Sequence, residues 1–181
     1  MASLFNSTVI DNPFNMDIIE MAFDCFEDNY KYSKLGEDQK NWTFTITSRF
    51  QKLMNEKMPY FQGRWVFNFF HSDHPMPWHT DTIDESDGNI GFILPYQWEG
   101  NKPATIMYKW WSDRKVKYVG NDEIRYLDTD ELALTVKDLP KVDFTFEWEK
   151  DKGLLFDCRQ LRTNRKFERP AWKEFILGFV I

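Results

Sequence analysis

Arg64-Trp65-Val66-Phe67-Asn68-Phe69-Phe70, followed after a loop by Pro77-Trp78-His79-Thr80-Asp81, is the stretch on which the fold turns. Its first part is aromatic and β-branched, the composition of a strand. His71 to Pro77 contains two prolines and reads as a loop. In an extended chain residues i and i+2 share a face, so the His79 imidazole and the Asp81 carboxylate point the same way. Such a pair can hold a divalent ion from adjacent positions. A third ligand from another strand would complete a facial set with open positions for a cosubstrate and oxygen. Taken alone, the pattern more often describes an exposed histidine at a strand end beside a solvated aspartate.

Further strands are expected on the C-terminal side. Ile90–Leu94 and Pro103–Trp111 are candidates, Phe144–Trp148 alternates, Gly153–Phe156 is a short buried run, and Lys173–Ile181 closes the chain. Charged Ser112–Lys141 reads as an insertion or lid. On the N-terminal side, residues 1–60 read as helical. Asn12-Pro13 suits a helix start, Ile19, Ala22, Phe23 and Phe26 fall at helical spacing, and Ile46, Phe50, Leu53 and Met54 mark a second helix. Polar Ser33–Asn41 reads as the loop between them. The pattern predicts one α+β domain over residues 1–181, a β-sandwich or barrel from residue 64 with helices packed on one sheet.

Composition narrows the function classes. A chain of 181 residues can bury its own core. Its net charge of −6 argues against nucleic-acid binding by bulk electrostatics. The 17 Phe, 8 Trp and 7 Tyr suit a β-rich core or an aromatic-lined pocket. Cys25 and Cys158 form no CxxC pair, so neither a zinc ribbon nor a disulfide framework is indicated. No apolar run approaches the ~20 residues of a membrane span. The N-terminus lacks the basic and apolar regions of a secretory signal, and the expected compartment is the cytoplasm. The sequons at Asn6 and Asn41 then carry no meaning. Nothing in the sequence specifies an oligomeric state.

Several segments, in order, resemble the prolyl-hydroxylase-like branch of the iron(II) and 2-oxoglutarate dioxygenases. Trp65–Phe70 with Pro77–Asp81 resembles their strand-loop-ligand segment. Ile90–Leu94, Tyr96-Gln97-Trp98-Glu99-Gly100 and Ala104–Tyr108 resemble the next strand, its W-E-G turn and the strand after it. Lys152–Leu161 resembles the approach to the distal histidine, and Trp172-Lys173-Glu174-Phe175 the strand with the cosubstrate's basic anchor. The resemblance runs from Arg64 to Ile181. It implies a double-stranded β-helix of jelly-roll or cupin type, iron(II) on His79 and Asp81, and 2-oxoglutarate on Lys173. It also implies hydroxylation of a C–H bond in a peptide or small-molecule substrate. Asn68 and Tyr108 are candidates for further polar contacts to the acid, or strand residues satisfied by backbone.

The departure falls at Arg162, which stands where the resemblance implies the distal histidine. No histidine follows His79. A guanidinium offers five donors and no acceptor, so it cannot ligate a cation. Three arrangements follow. Water or another side chain completes the ion's sphere, His71 or His74 substitutes, or the metal is absent and Arg162 pairs with Asp81. The last corresponds to a non-catalytic protein that binds an acid or a partner without turnover. Lys173 reads as a cationic anchor in an aromatic pocket, or as a strand-edge lysine that discourages aggregation. The run Arg159, Arg162, Arg165, Lys166 and Arg169 reads as a solvated loop or as an anion-binding face, the latter pointing to a demethylase-like enzyme acting on nucleic acid.

Overall fold

The computed structural model describes residues 6–12, 31–34, 39–44, 52, 55–56, 65–72, 75–81, 90–166 and 172–180. Thirteen strands lie among them: β1 (Thr8–Asp11), β2 (Lys31–Lys34), β3 (Gln39–Phe44), β4 (Trp65–Ser72), β5 (Ile90–Glu99), β6 (Ala104–Trp111), β7 (Val116–Gly120), β8 (Glu123–Tyr126), β9 (Leu132–Thr135), β10 (Val142–Glu147), β11 (Lys152–Asp157), β12 (Gln160–Asn164) and β13 (Trp172–Val180). Seven form a large sheet in the order β1-β11-β5-β13-β4-β3-β2. A small sheet has the order β10-β6-β12, and β7-β8-β9 form a meander. Every pairing is antiparallel.

Alternation builds the core between the two main sheets. Phe70, Ile93, Leu154, Phe156, Phe175 and Leu177 from the large sheet meet Met107 and Phe146 from the small one, with Trp148 just beyond β10. Fully burying one such side chain contributes roughly 1.5–3 kcal/mol. A close approach fixes one glycine. Gly91 pairs with Phe156 across β5 and β11, and a Cβ at Gly91 would stand 2.2 Å from Phe156 Cζ. The ring lies over the bare backbone of its cross-strand partner.

The small sheet's other face carries a second cluster, in which Leu161, Val116 and Ile124 pack with Trp78, Tyr108 and Tyr118. The meander supplies much of this cluster, so the charged stretch expected as an insertion or lid contains three ordered strands. Its first hairpin turns through Asn121 and Asp122 at φ 51° and 60°, angles that these two residue types tolerate.

The N-terminal expectation needs correction. Thr8–Asp11, Lys31–Lys34 and Gln39–Phe44 are strands, and the last two cut into the expected Ser33–Asn41 loop. β1 and β2 are the outermost strands of the large sheet, where a strand needs no continuous apolar run. The expected first helix lies outside the described residues. Of the second, Lys52, Asn55 and Glu56 are helical. No described helix is long and apolar enough to cross a membrane.

Candidate functional site

The segment from Met76 to Asp81 is held on both sides by backbone bonds. On one side Asn164 N donates to Met76 O at 3.1 Å, His79 and Arg162 exchange two bonds of 3.0 Å, and Asp81 N donates to Cys158 O at 2.9 Å. On the other, Tyr118 N donates to Trp78 O at 2.9 Å and Thr80 N to Val116 O at 3.2 Å. The segment thus extends the small sheet past β12 and ties it to the meander. Its extended form puts His79 and Asp81 on one face and buries Thr80, whose hydroxyl accepts from Val116 N at 3.1 Å.

The His79 ring has a defined tautomer. Its Nδ1 lies 2.6 Å from the Pro77 carbonyl, which only accepts, so Nδ1 carries the proton. Nε2 is left with a lone pair, buried and without a hydrogen-bond partner, 3.7 Å from Asp81 Oδ1. Burial, reinforced by the Arg162 charge, lowers the imidazole pKa to about 4, against the opposing pull of Asp81 and the Pro77 carbonyl. The ring is therefore neutral at pH 7.

Asp81 Oδ2 accepts from Arg162 Nε at 2.6 Å. The Arg162 side chain is 1% exposed and its Cζ lies 4.9 Å from the Phe156 ring centre, a cation–π contact. Its Nη2 is buried with no partner. Burial alone would raise the Asp81 pKa, but the Arg162 charge and the guanidinium hydrogen bond, helped by His79 where it protonates in acid, outweigh it and hold the carboxyl below its ordinary value.

Lys173 is fully buried, paired across the sheet with Ser72 and Trp98. Its Nζ donates to Asn164 Oδ1 and lies 5.3 Å and 5.4 Å from the Trp148 and Phe175 ring centres. Asn164 Nδ2 donates to Thr105 Oγ1 at 3.2 Å, which also accepts from Trp148 Nε1 at 3.0 Å. Burial, then the Arg162 charge, pulls the ammonium pKa well below its usual value. Asn164 and Trp148 are the residues that sequence reasoning did not connect with Lys173. Asn164 had a signal: it stands two residues after Arg162, on the same face of β12.

Other candidates fall elsewhere. Tyr108 packs with the cluster on the outer face of the small sheet, because its neighbour Met107 points into the core; the expected contact with a bound acid is not made there. It lines a groove of about 580 Å³ with Trp78, Tyr118 and Pro75. The Asn68 side chain lies outside the described residues; its backbone pairs with Leu177 and Thr43. His71 Nδ1 is 2.9 Å from Glu174 Oε1. Glu174 adjoins Lys173 on β13, so its partner His71 is on the sheet's opposite face from Lys173 and is no substitute ligand. His74 lies outside the described residues. The basic run disperses: Arg159 pairs with Asp157 and Asp113, Arg162 turns inward, and Arg165 pairs with Glu147.

The donor set does not fit iron(II). Among the described residues, no three of His, Cys, Asp and Glu gather around one point. Asp81 spends one oxygen on a guanidinium whose charge repels a cation.

No family model and no curated protein sequence matches the chain. Solved structures do. A 2OG-Fe(II) oxygenase family oxidoreductase from Burkholderia pseudomallei superposes with TM-score 0.55 at 7% identity, over 96% of this chain and 82% of that one. The fold is that of the 2-oxoglutarate and iron(II) oxygenases. A Pseudomonas putida prolyl-4-hydroxylase gives TM-score 0.51 at 9% identity, over 96% of this chain and 91% of the other. The E. coli protein ycfD gives 0.50 at 12% identity over 97% of this chain, which spans 49% of its length.

Proposed function

We propose that this chain uses the oxygenase fold as a metal-independent binding protein for a small dicarboxylic acid, held by Lys173 and by Arg162 Nη2. The observation that supports it is the Arg162–Asp81 hydrogen bond of 2.6 Å. It puts a fixed, buried cation where the resemblance implies the third metal ligand. A guanidinium can pair a carboxylate as an ion does, with added directionality. In a site shielded from water such pairing is screened little.

The test is calorimetric titration of the full chain with glutarate in EDTA. Glutarate is expected to bind without metal, and Lys173→Met to weaken it at least roughly tenfold, the loss of one charge-assisted hydrogen bond. Binding that appears only with Mn(II), or that Lys173→Met leaves untouched, would sink the proposal.

The hydroxylase activity implied by the resemblance is the second reading. One observation favours it: the His79 Nε2 lone pair and Asp81 Oδ1 stand 3.7 Å apart, with Nε2 unpartnered. If they are remnants of a metal site, Arg162→His restores the third ligand and removes the repelling charge. The variant is then expected to bind Mn(II) or Fe(II) at least ~10–100-fold more tightly than wild type, the range known for losing a supporting partner alone. Equal affinities in a Mn(II) titration would show that position 162 does not control a metal site. Tight wild-type binding, with succinate released from 2-oxoglutarate in the presence of Fe(II), would favour the hydroxylase.

A further inference from the structure

A dicarboxylate on Lys173 and Arg162 leaves two acceptors unanswered. His79 Nε2 is a lone pair, because Nδ1 holds the ring proton against the Pro77 carbonyl. It is buried and unpartnered. Asp81 Oδ1 stands 3.7 Å from it, while the same carboxylate's Oδ2 is taken by Arg162. Two acceptors side by side call for a group that only donates. From the fixed position and donor-acceptor inventory of these four side chains, we infer that the ligand is an acidic α-amino acid. Its ammonium sits between His79 Nε2 and Asp81 Oδ1, and its carboxylates meet Arg162 Nη2 and Lys173. This rests on the reading of the site as a metal-independent acid pocket.

An ammonium has three donors and no acceptor, and a nitrogen ~2.9 Å from each acceptor can bridge a gap of this size. A hydroxyl brings a single hydrogen and leaves one acceptor unsatisfied. A keto oxygen is worse, since it would set a third acceptor against the other two, and the site thereby disfavours a 2-oxo acid. Charge agrees. With a ligand carboxylate on Lys173 favouring its ammonium form, Arg162 and Lys173 against Asp81 leave one positive charge, and an amino acid with two carboxylates and one ammonium carries one negative charge. Lys115 also acts on Asp81 from an exposed position. Exposure sets the orientation: the His79 and Asp81 side chains are 14% and 12% exposed, whereas Arg162 and Lys173 are 1% and 0% exposed. The amino end is therefore the more exposed one.

The experiment titrates the full chain in EDTA with L-glutamate, glutarate, 2-hydroxyglutarate and 2-oxoglutarate. L-glutamate is expected to bind roughly ten- to a hundredfold more tightly than glutarate, the range for charge-assisted hydrogen bonds, and 2-oxoglutarate most weakly. His79→Leu is expected to bring L-glutamate down towards glutarate. Glutarate, 2-hydroxyglutarate or 2-oxoglutarate binding as tightly as L-glutamate overturns the amino-acid assignment and leaves the acid pocket standing. A full L-glutamate preference surviving in His79→Leu also overturns it. If no acid binds without metal, both readings fall. Should His79→Leu not fold, the wild-type series decides alone.

Discussion

Asp81→Ala is expected to destabilise the metal-free protein by about 3–5 kcal/mol, the cost of stranding one member of a buried ion pair. Arg162 is 1% exposed and lies against Phe156, itself fully buried. With Asp81 gone its Nε joins Nη2 as an unpaired buried donor, and a guanidinium does not escape by losing its proton. A carboxylate kept only to bind a metal behaves oppositely: its removal from metal-free protein relieves a buried charge and changes stability little. Asp81→Leu combined with Arg162→Met removes both charges and keeps volume, and is expected to fall within about 1–2 kcal/mol of wild type or above it. Urea denaturation in EDTA measures all of these. A loss below about 1 kcal/mol for Asp81→Ala would mean that the pair does not hold the site together.

Trp148→Ala is expected to cost a similar 3–5 kcal/mol, the usual range for emptying a buried aromatic site. Trp148 is fully buried, meets Phe175 edge-on at 5.3 Å, and anchors its N–H on Thr105. Its face also covers the Lys173 ammonium at 5.3 Å. Trp148→Phe keeps most of the ring and loses the hydrogen bond, for about 1–2 kcal/mol. Thermal denaturation of the two variants separates volume from polarity. If both cost the same, the hydrogen bond rather than the ring anchors this corner of the core.

These two residues differ in how legible they were. Trp148 follows Phe144 and Phe146 at period two, so its face could be read directly. His79 and Asp81 could be placed together because an extended chain leaves no other choice, and Arg162 beside Asp81 followed from the resemblance. Tyr108 was misplaced for a physical reason. β6 is covered on both faces, by the core and by the meander, so Ala104-Thr105-Ile106-Met107-Tyr108 shows no clean polar-apolar alternation and hides its parity. The basic run forms no single anion-binding face: Arg162 turns inward to Asp81, while Arg159 and Arg165 are balanced by nearby acids. Of the strands before residue 45, β1 and β2 were missed because they are edges, whose composition is set by solvent more than by packing.

Cys158 underlies the Asp81 backbone, accepting its N–H at 2.9 Å. Its thiol is fully buried, and burial, with the Asp81 charge, raises its pKa well above the ordinary value. A closed molecule therefore offers an alkylating reagent neither access nor thiolate. Reaction requires a local opening that exposes Cys158, and each alkylated molecule records one such opening. The protein carries its own chemical clock, set under the one acidic residue of the site and read from the mass of the peptide that contains it.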